Sequence, residues 1–290
     1  MGCLRSFIAA SCFILGGYDI ARAADPVALT WAAPVFPPAF IEDGAGLSGY
    51  GAQTQNWFTE RLPDYRHNNV ILPISRILAE IRNGTLVCSS SLIPTEDRKS
   101  YISFADTILL HLPVTVIIRE TDRDRFAGYL DANGHLDFSS LVSDTSLRAA
   151  LRSGRAYGPA IDTILDHIPQ TAHITRISND DKFLALLDLK RIDWTLFFPS
   201  EIEYFRRQIN PQTGFTTLPV AGNTDLLQAT YGCSNTPAGQ AAIAAINDIV
   251  DDHPDMPWTH FYATWLSDAD RAWYANAVRI WQNGRNRPPS

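Results

Sequence analysis

Along the chain, short continuous apolar runs alternate with stretches whose apolar residues recur every three or four positions, the pattern of strands separated by helices. Residues 27–32 read as a first strand, broken by Pro34, Pro37 and Pro38 into a loop that carries Phe36 and Phe40. Gly44, Gly46, Gly49 and Gly51 surround the approach to a helix over 52–62, and 70–72 forms a short strand. Ile74, Ile77, Leu78 and Ile81 repeat at helical spacing, and Asn83-Gly84 stops that helix before a strand over 85–88. Residues 111–119 are continuous and β-branched, which suits a buried strand or a crossing segment. The pattern over 147–151 admits helix or strand. Pro159 suits the first turn of a helix reaching about His167, and 174–177 is a strand. Asp180 and Asp181 favour a helix start whose apolar face is Phe183, Leu184, Leu186 and Leu187. A strand over 193–198 ends at Pro199, a helix covers 200–208, and a strand covers 228–232. Two helices, 237–250 and 258–282, close the chain. Strands alternating with helices throughout are the α/β pattern.

Composition sharpens this picture. The chain has 290 residues and 46% apolar residues, enough for two lobes or one large domain with a real core. Arg5, the apolar stretch 7–17 and Ala21-Arg22-Ala23 read as a secretory signal over 1–23, with a mature chain from Ala24 located in the periplasm. The stretch is too short and too broken by Gly16 and Gly17 to span a membrane. Cys12 follows Ala9-Ala10-Ser11, a poor lipid-attachment box. The net charge is −7, and loss of Arg5, Arg22 and Asp19 with the signal makes the mature chain more negative still. Such a balance argues against nucleic acid and anionic membrane as partners. Cys3 and Cys12 leave with the signal, so Cys88 and Cys233 remain. In an exported protein that pair invites a disulfide; the alternative is two buried free thiols in neighbouring strands.

Candidate chemistry concentrates between Cys88 and Asp106. An apolar strand ends in Ser89, Ser90 and Ser91, and a short loop then places Arg98 ahead of Tyr101-Ile102-Ser103-Phe104. Strand-end hydroxyls beside a guanidinium fork make a carboxylate trap, since the fork offers two parallel donors. The alternative is a surface arginine paired with Glu96 or Asp97. Thr95-Glu96-Asp97-Arg98 followed by Ser103-Phe104-Ala105-Asp106-Thr107 resembles the signature of the family 3 periplasmic solute-binding proteins. Phe36-Pro37-Pro38-Ala39-Phe40, Gly49-Tyr50-Gly51 and the helix ending at Gly84 fit the same order. Tyr231-Gly232-Cys233-Ser234-Asn235-Thr236-Pro237-Ala238-Gly239 and Arg155-Ala156-Tyr157-Gly158-Pro159-Ala160-Ile161-Asp162 are similar to segments in a less-studied branch of that superfamily.

The resemblance implies a two-lobed type II periplasmic binding fold, with a ligand cleft between lobes joined by two hinge crossings. Lobe 1 would comprise 24–115 and 223–290, and lobe 2 would comprise 116–222. Ser90, Ser91 and Arg98 match ligand positions of lobe 1. Arg155 and Tyr157 match a lobe 2 site at a helix N-terminus, where backbone N–H groups favour an anion. Two departures stand out: Ile93 replaces a usual hydroxyl, and Phe198 stands where amino-acid binders carry an aspartate for the ligand's ammonium. An unpaired ammonium in an apolar cleft is costly. A mono- or dicarboxylate, aromatic or not, therefore fits Arg98, Phe36, Tyr157 and Phe198 better than an ordinary amino acid. Glu201 or Glu203 could supply the lost charge instead. For each aromatic residue, core packing is the competing explanation.

Rival chemistries find little footing. Gly46-Leu47-Ser48-Gly49-Tyr50 lacks the final glycine of a nucleophile elbow. Asp251-Asp252-His253-Pro254-Asp255 with His260 has no recognised metal spacing and reads as a solvated connector. His135 and Asp137 sit on a surface turn, and Glu201 and Glu203 are two apart on a helix and diverge. The expectation is a non-catalytic monomer without cofactor that captures a small carboxylate-bearing or amino-acid-like ligand by lobe closure and presents it to a membrane ABC permease. A ligand sensor for a membrane signalling partner and a dehydratase-like enzyme on the same fold are the alternatives.

Overall fold

The computed structural model describes residues 26–44, 46–168, 173–178, 182–209 and 211–285, without the side chains of Ser91 and Arg285. The expected signal over 1–23 and the Asp180-Asp181 helix start lie outside these residues.

Strand β1 (Val27–Ala33) buries Leu29, Trp31, Ala32 and Ala33 in a first sheet. A turn closed by reciprocal 2.9 Å hydrogen bonds between Phe36 and Phe40 leads through the hairpin β2 (Ile41–Asp43) and β3 (Gly46–Ser48) to helix α1 (Tyr50–Thr59). Strand β4 (Tyr65–Ile71) then lies parallel to β1. Helix α2 (Ile74–Arg82) buries Ile77 and Ile81 and ends where Gly84 takes φ 78, a left-handed conformation that glycine adopts without steric cost. Strand β5 (Val87–Leu92), the one-turn helix α3 (Glu96–Lys99) and strands β6 (Ile102–Phe104) and β7 (Leu109–His111) follow.

Residues 112–114 cross to a second sheet, entered by β8 (Thr115–Arg119). Then come α4 (Arg123–Phe126), α5 (Phe138–Ser143), β9 (Ala149–Arg152), α6 (Pro159–Asp166), β10 (Ile174–Ile177), α7 (Phe183–Asp188), β11 (Trp194–Phe197), α8 (Pro199–Ile209) and β12 (Phe215–Pro219). The chain returns as β13 (Leu227–Ser234), followed by α9 (Pro237–Asp252), α10 (Thr259–Ala263) and α11 (Asp268–Arg285).

The first sheet runs β4-β1-β5-β13-β6, with β7 also paired to β13; the second runs β10-β9-β11-β8-β12. Each sheet has helices on its faces and a core of its own, which is the two-lobed α/β arrangement. All five residues of β8 are buried, Val116 and Ile118 on one face of the sheet and Ile117 on the other. A strand covered on both faces shows no apolar–polar alternation. The two crossings touch: Asn223 Nδ2 donates to the Val114 carbonyl at 3.0 Å. Cys88 and Cys233 stand opposite each other on β5 and β13 and form a disulfide in the core of the first lobe.

Several boundaries depart from the sequence expectation. The run 111–119 is two strands, because Pro113 cannot donate into a ladder and the chain changes sheets there. The serines fall inside β5 rather than after it. Residues 147–151 resolve as strand, and 258–282 splits into α10 and α11. The short strands β2, β3, β6 and β12 were not legible from periodicity.

Candidate functional site

Between the lobes lies a cavity of about 460 Å³. The first lobe contributes Phe36, Phe40, Tyr50, Ser90 and His111 to its wall, and the second contributes Phe198. The aromatic end is built by the Gly49-Tyr50-Gly51 segment. The N–H groups of Tyr50 and Gly51 donate to the carbonyls of Pro38 (3.1 Å) and Ala39 (2.9 Å), which pins the Phe36–Phe40 turn against the start of α1. Gly49 has φ 98, and a Cβ there would meet the Pro38 carbonyl oxygen at 2.2 Å, so only glycine allows this approach. Of the nine large apolar side chains exposed among the described residues, five (Val35, Phe36, Ile74, Ile93 and Leu227) line this one cavity. An apolar surface gathered this way marks a binding cleft.

Its polar features are sparse. Ser90 Oγ and His111 Nε2 are buried and find no hydrogen-bond partner among the described residues. The His111 ring packs against both Tyr50 (5.5 Å) and Tyr262 (5.1 Å), which also touch each other, and burial pushes its pKa down to about 4. Burial raises the Tyr50 and Tyr262 phenols, and the Tyr262 hydroxyl accepts from the Leu112 N–H at 3.1 Å. Sequence reasoning did not single out His111; its one signal was a titratable residue inside the most apolar stretch of the chain.

Arg98 is not part of the cavity wall. Its Nη1 donates to the carbonyl of Ile93, a wall residue, at 3.0 Å. The two acids expected to compete for it are engaged elsewhere, Glu96 with Lys99 (2.7 Å) and Asp97 with Arg82 (3.5 Å). Among the described residues no carboxylate pairs with Arg98. Thr95 caps α3 by accepting from the Arg98 N–H, which fixes the backbone at this position. The structure thus brings Phe36, Ser90 and Phe198 to one cavity with Arg98 beside it; the Ser91 side chain lies outside the described residues.

Lobe 2 differs from the expected anion seat. Asp162, the fourth residue of α6, accepts from the N–H groups of Tyr157 (3.0 Å) and Gly158 (3.0 Å). The two N–H groups that lead into that helix are already satisfied by a side chain of the same helix. Tyr157 is a core residue whose hydroxyl accepts from the Arg152 N–H at 2.7 Å. Arg155 is held by Glu201 with two parallel bonds and lies 5.2 Å over the ring of Phe198. Glu203 is paired with Arg206 and Arg207, and Asp193 is enclosed by Arg119, Arg125 and Arg148. Both glutamates are thus already paired with arginines, so neither carries a spare charge for a ligand ammonium near Phe198. Among the described residues no cluster of His, Cys, Asp or Glu could hold a metal ion, and no helix is long and apolar enough to cross a membrane.

No protein-family model and no curated protein matches the sequence. Solved structures match the fold. A probable amino-acid ABC transporter extracellular-binding protein from Bacillus subtilis is 14% identical with a TM-score of 0.63, over 84% of this chain and 99% of that one. The second substrate-binding domain of Lactococcus lactis GlnP, in an open conformation, is 12% identical with a TM-score of 0.59, over 86% and 98%. A histidine kinase sensor domain similar to periplasmic binding proteins is 13% identical with a TM-score of 0.53, over 83% and 96%. The chain has the two-lobed fold of the family 3 solute-binding proteins.

Proposed function

We propose that this protein is a periplasmic solute-binding protein that captures a small carboxylate-bearing ligand with an apolar body between its lobes. The carrying observation is the interlobe cavity, mostly apolar with Tyr50, Ser90, His111 and Gln228 as its polar residues, and the Arg98 guanidinium, unpaired with any carboxylate among the described residues, bonded to the carbonyl of the wall residue Ile93. A ligand that touches both lobes stabilises the closed arrangement over the open one, and a membrane partner reads that change. An ABC importer is the partner that fits the fold's transporter-associated members. Presentation to a signalling protein is the second reading, supported by the sensor domain that shares the fold. A non-catalytic role fits the cavity wall, where Tyr50 and His111 are the titratable groups and no carboxylate completes an acid–base pair.

The test is a thermal-shift screen of the protein from Ala24 onward against aliphatic and aromatic acids, amino acids and sugars, repeated on Arg98→Ala. The expected outcome is stabilisation by an acid, with affinity lowered about 30-fold in the variant, corresponding to the ~2 kcal/mol of a charged hydrogen bond. Equal affinity in both proteins refutes the assigned site.

A further inference from the structure

The two unpartnered polar atoms of the cavity stand at opposite edges of β13. Ser90 lies on β5, where Gly232 faces Ser89 and Thr230 faces Leu92. His111 lies on β7, along the other edge, facing Leu227. Two strand spacings of about 4.8 Å and a stagger of about four residues put their Cα atoms on the order of 15 Å apart. Both residues line the shared cavity. A buried polar atom left unpaired is costly, so a pair of them facing one apolar cavity marks where a ligand completes the bonding.

We infer that the solute is an elongated, two-headed acid: its carboxylate sits at the Ser90 end beside Arg98, and a hydroxyl or carbonyl at its far end hydrogen-bonds His111 Nε2. This inference rests on the proposed capture function and specifies its ligand. The depressed pKa of His111 keeps the ring neutral near pH 7, so it can donate to or accept from a neutral group and offers no charge to a second carboxylate. Tyr50 and Tyr262 fix the plane of the ring, so the hydrogen bond has a defined direction. Phe36, Phe40, Ile74 and Phe198 in the same wall suit an aromatic or aliphatic spacer. A site built to bond a hydroxyl rejects the analogue that lacks it, because the buried group of the protein is then left bare.

The test compares matched acids by calorimetry: 3-phenylpropionate against 3-(4-hydroxyphenyl)propionate, and hexanoate against 6-hydroxyhexanoate. The expected result is that the hydroxylated member of at least one pair binds wild-type protein tenfold or more tighter. His111→Phe should bring that ratio close to one, whereas Ser90→Ala should weaken both members of the pair alike and leave the ratio standing. His111→Leu gives the same reading if the phenylalanine variant does not fold. Equal binding of both members to wild type, or a ratio unchanged in the His111 variants, overturns the two-headed ligand while leaving carboxylate capture through Arg98 intact. Absence of binding by all four acids overturns this inference; capture of any other acid that Arg98→Ala weakens would still uphold the broader reading.

Discussion

Arg155 and Glu201 meet as a fork on a fork, with Nη1 to Oε1 at 2.9 Å and Nη2 to Oε2 at 2.7 Å, both side chains almost wholly withdrawn from water. The arginine belongs to the loop before α6 and the glutamate to the first turn of α8, so the pair ties together two segments of the second lobe beside the cavity. Glu201 also accepts from the N–H of Phe198, which orients that wall residue. Breaking one side of a buried ion pair leaves an uncompensated charge, and removing both partners costs much less. Glu201→Gln is therefore expected to lose about 3–5 kcal/mol in urea denaturation, and Arg155→Met with Glu201→Leu together distinctly less. A single-variant loss below ~1 kcal/mol would show that the pair does not hold the second lobe together.

Asp162 closes the start of α6 from within, by bonding the N–H groups of Tyr157 and Gly158. Asp162→Ala removes that closure and is expected to cost about 1 kcal/mol, as the loss of a helix cap does. The same change bares donors at a positive helix end, which attracts anions. The variant should gain thermal stability from millimolar sulfate beyond any gain in wild type. A sulfate response identical in the two proteins would mean that those donors are inaccessible.

The disulfide joins residues 145 apart in sequence, and both cysteines are fully buried. Loop entropy sets its contribution at up to about 5 kcal/mol. The Cys88→Ala, Cys233→Ala double variant should melt on the order of 10 °C lower, given a shift of about 2–4 °C per kcal/mol at this size. Because the bond is shielded, dithiothreitol should reduce it slowly in the native protein and rapidly in urea. Fast native reduction, followed by thiol titration, would contradict the buried position.

The sequence made some of this legible and some not, for physical reasons. Helix α2 was readable because a local code fixes it, an apolar stripe with a glycine stop, and α9 begins at the expected Pro237, where the structure adds a Thr236 cap. The disulfide followed from compartment and from an even count of cysteines. Ser90, Phe36 and Phe198 were placed by motif order, and all three reach the cavity. The Arg155–Glu201 pair spans 46 positions, and no local pattern encodes which of several charges will meet across a fold. Closure of α6 by Asp162 was missed because a helix start reads as an open anion site unless its own acid is seen to fold back. His111 escaped notice because a histidine in an apolar run reads as a break in the pattern until the tertiary structure shows which cavity it faces.

The acid side of the stability curve should carry the signature of His111. Burial holds its native pKa at about 4, below the ordinary 6.5 of an unfolded chain. Between those values the unfolded state binds more protons than the native one, so stability rises with pH through the window and falls as the solution is acidified from 6.5 to 4. The full shift corresponds to about 3 kcal/mol at 1.36 kcal/mol per unit. The groups packed against the ring, Tyr50 and Tyr262, are pushed upward by burial and do not titrate in this range. His111→Phe keeps a ring against the two tyrosines and removes the ionisation. Urea denaturation of both proteins at pH 4.5, 5.5, 6.5 and 7.5 should show the variant gaining on wild type by about 1–3 kcal/mol as the pH falls, with the difference flat above pH 6.5. A difference constant at all four values would mean that His111 titrates as it does in water, and that the cavity does not bury its imidazole.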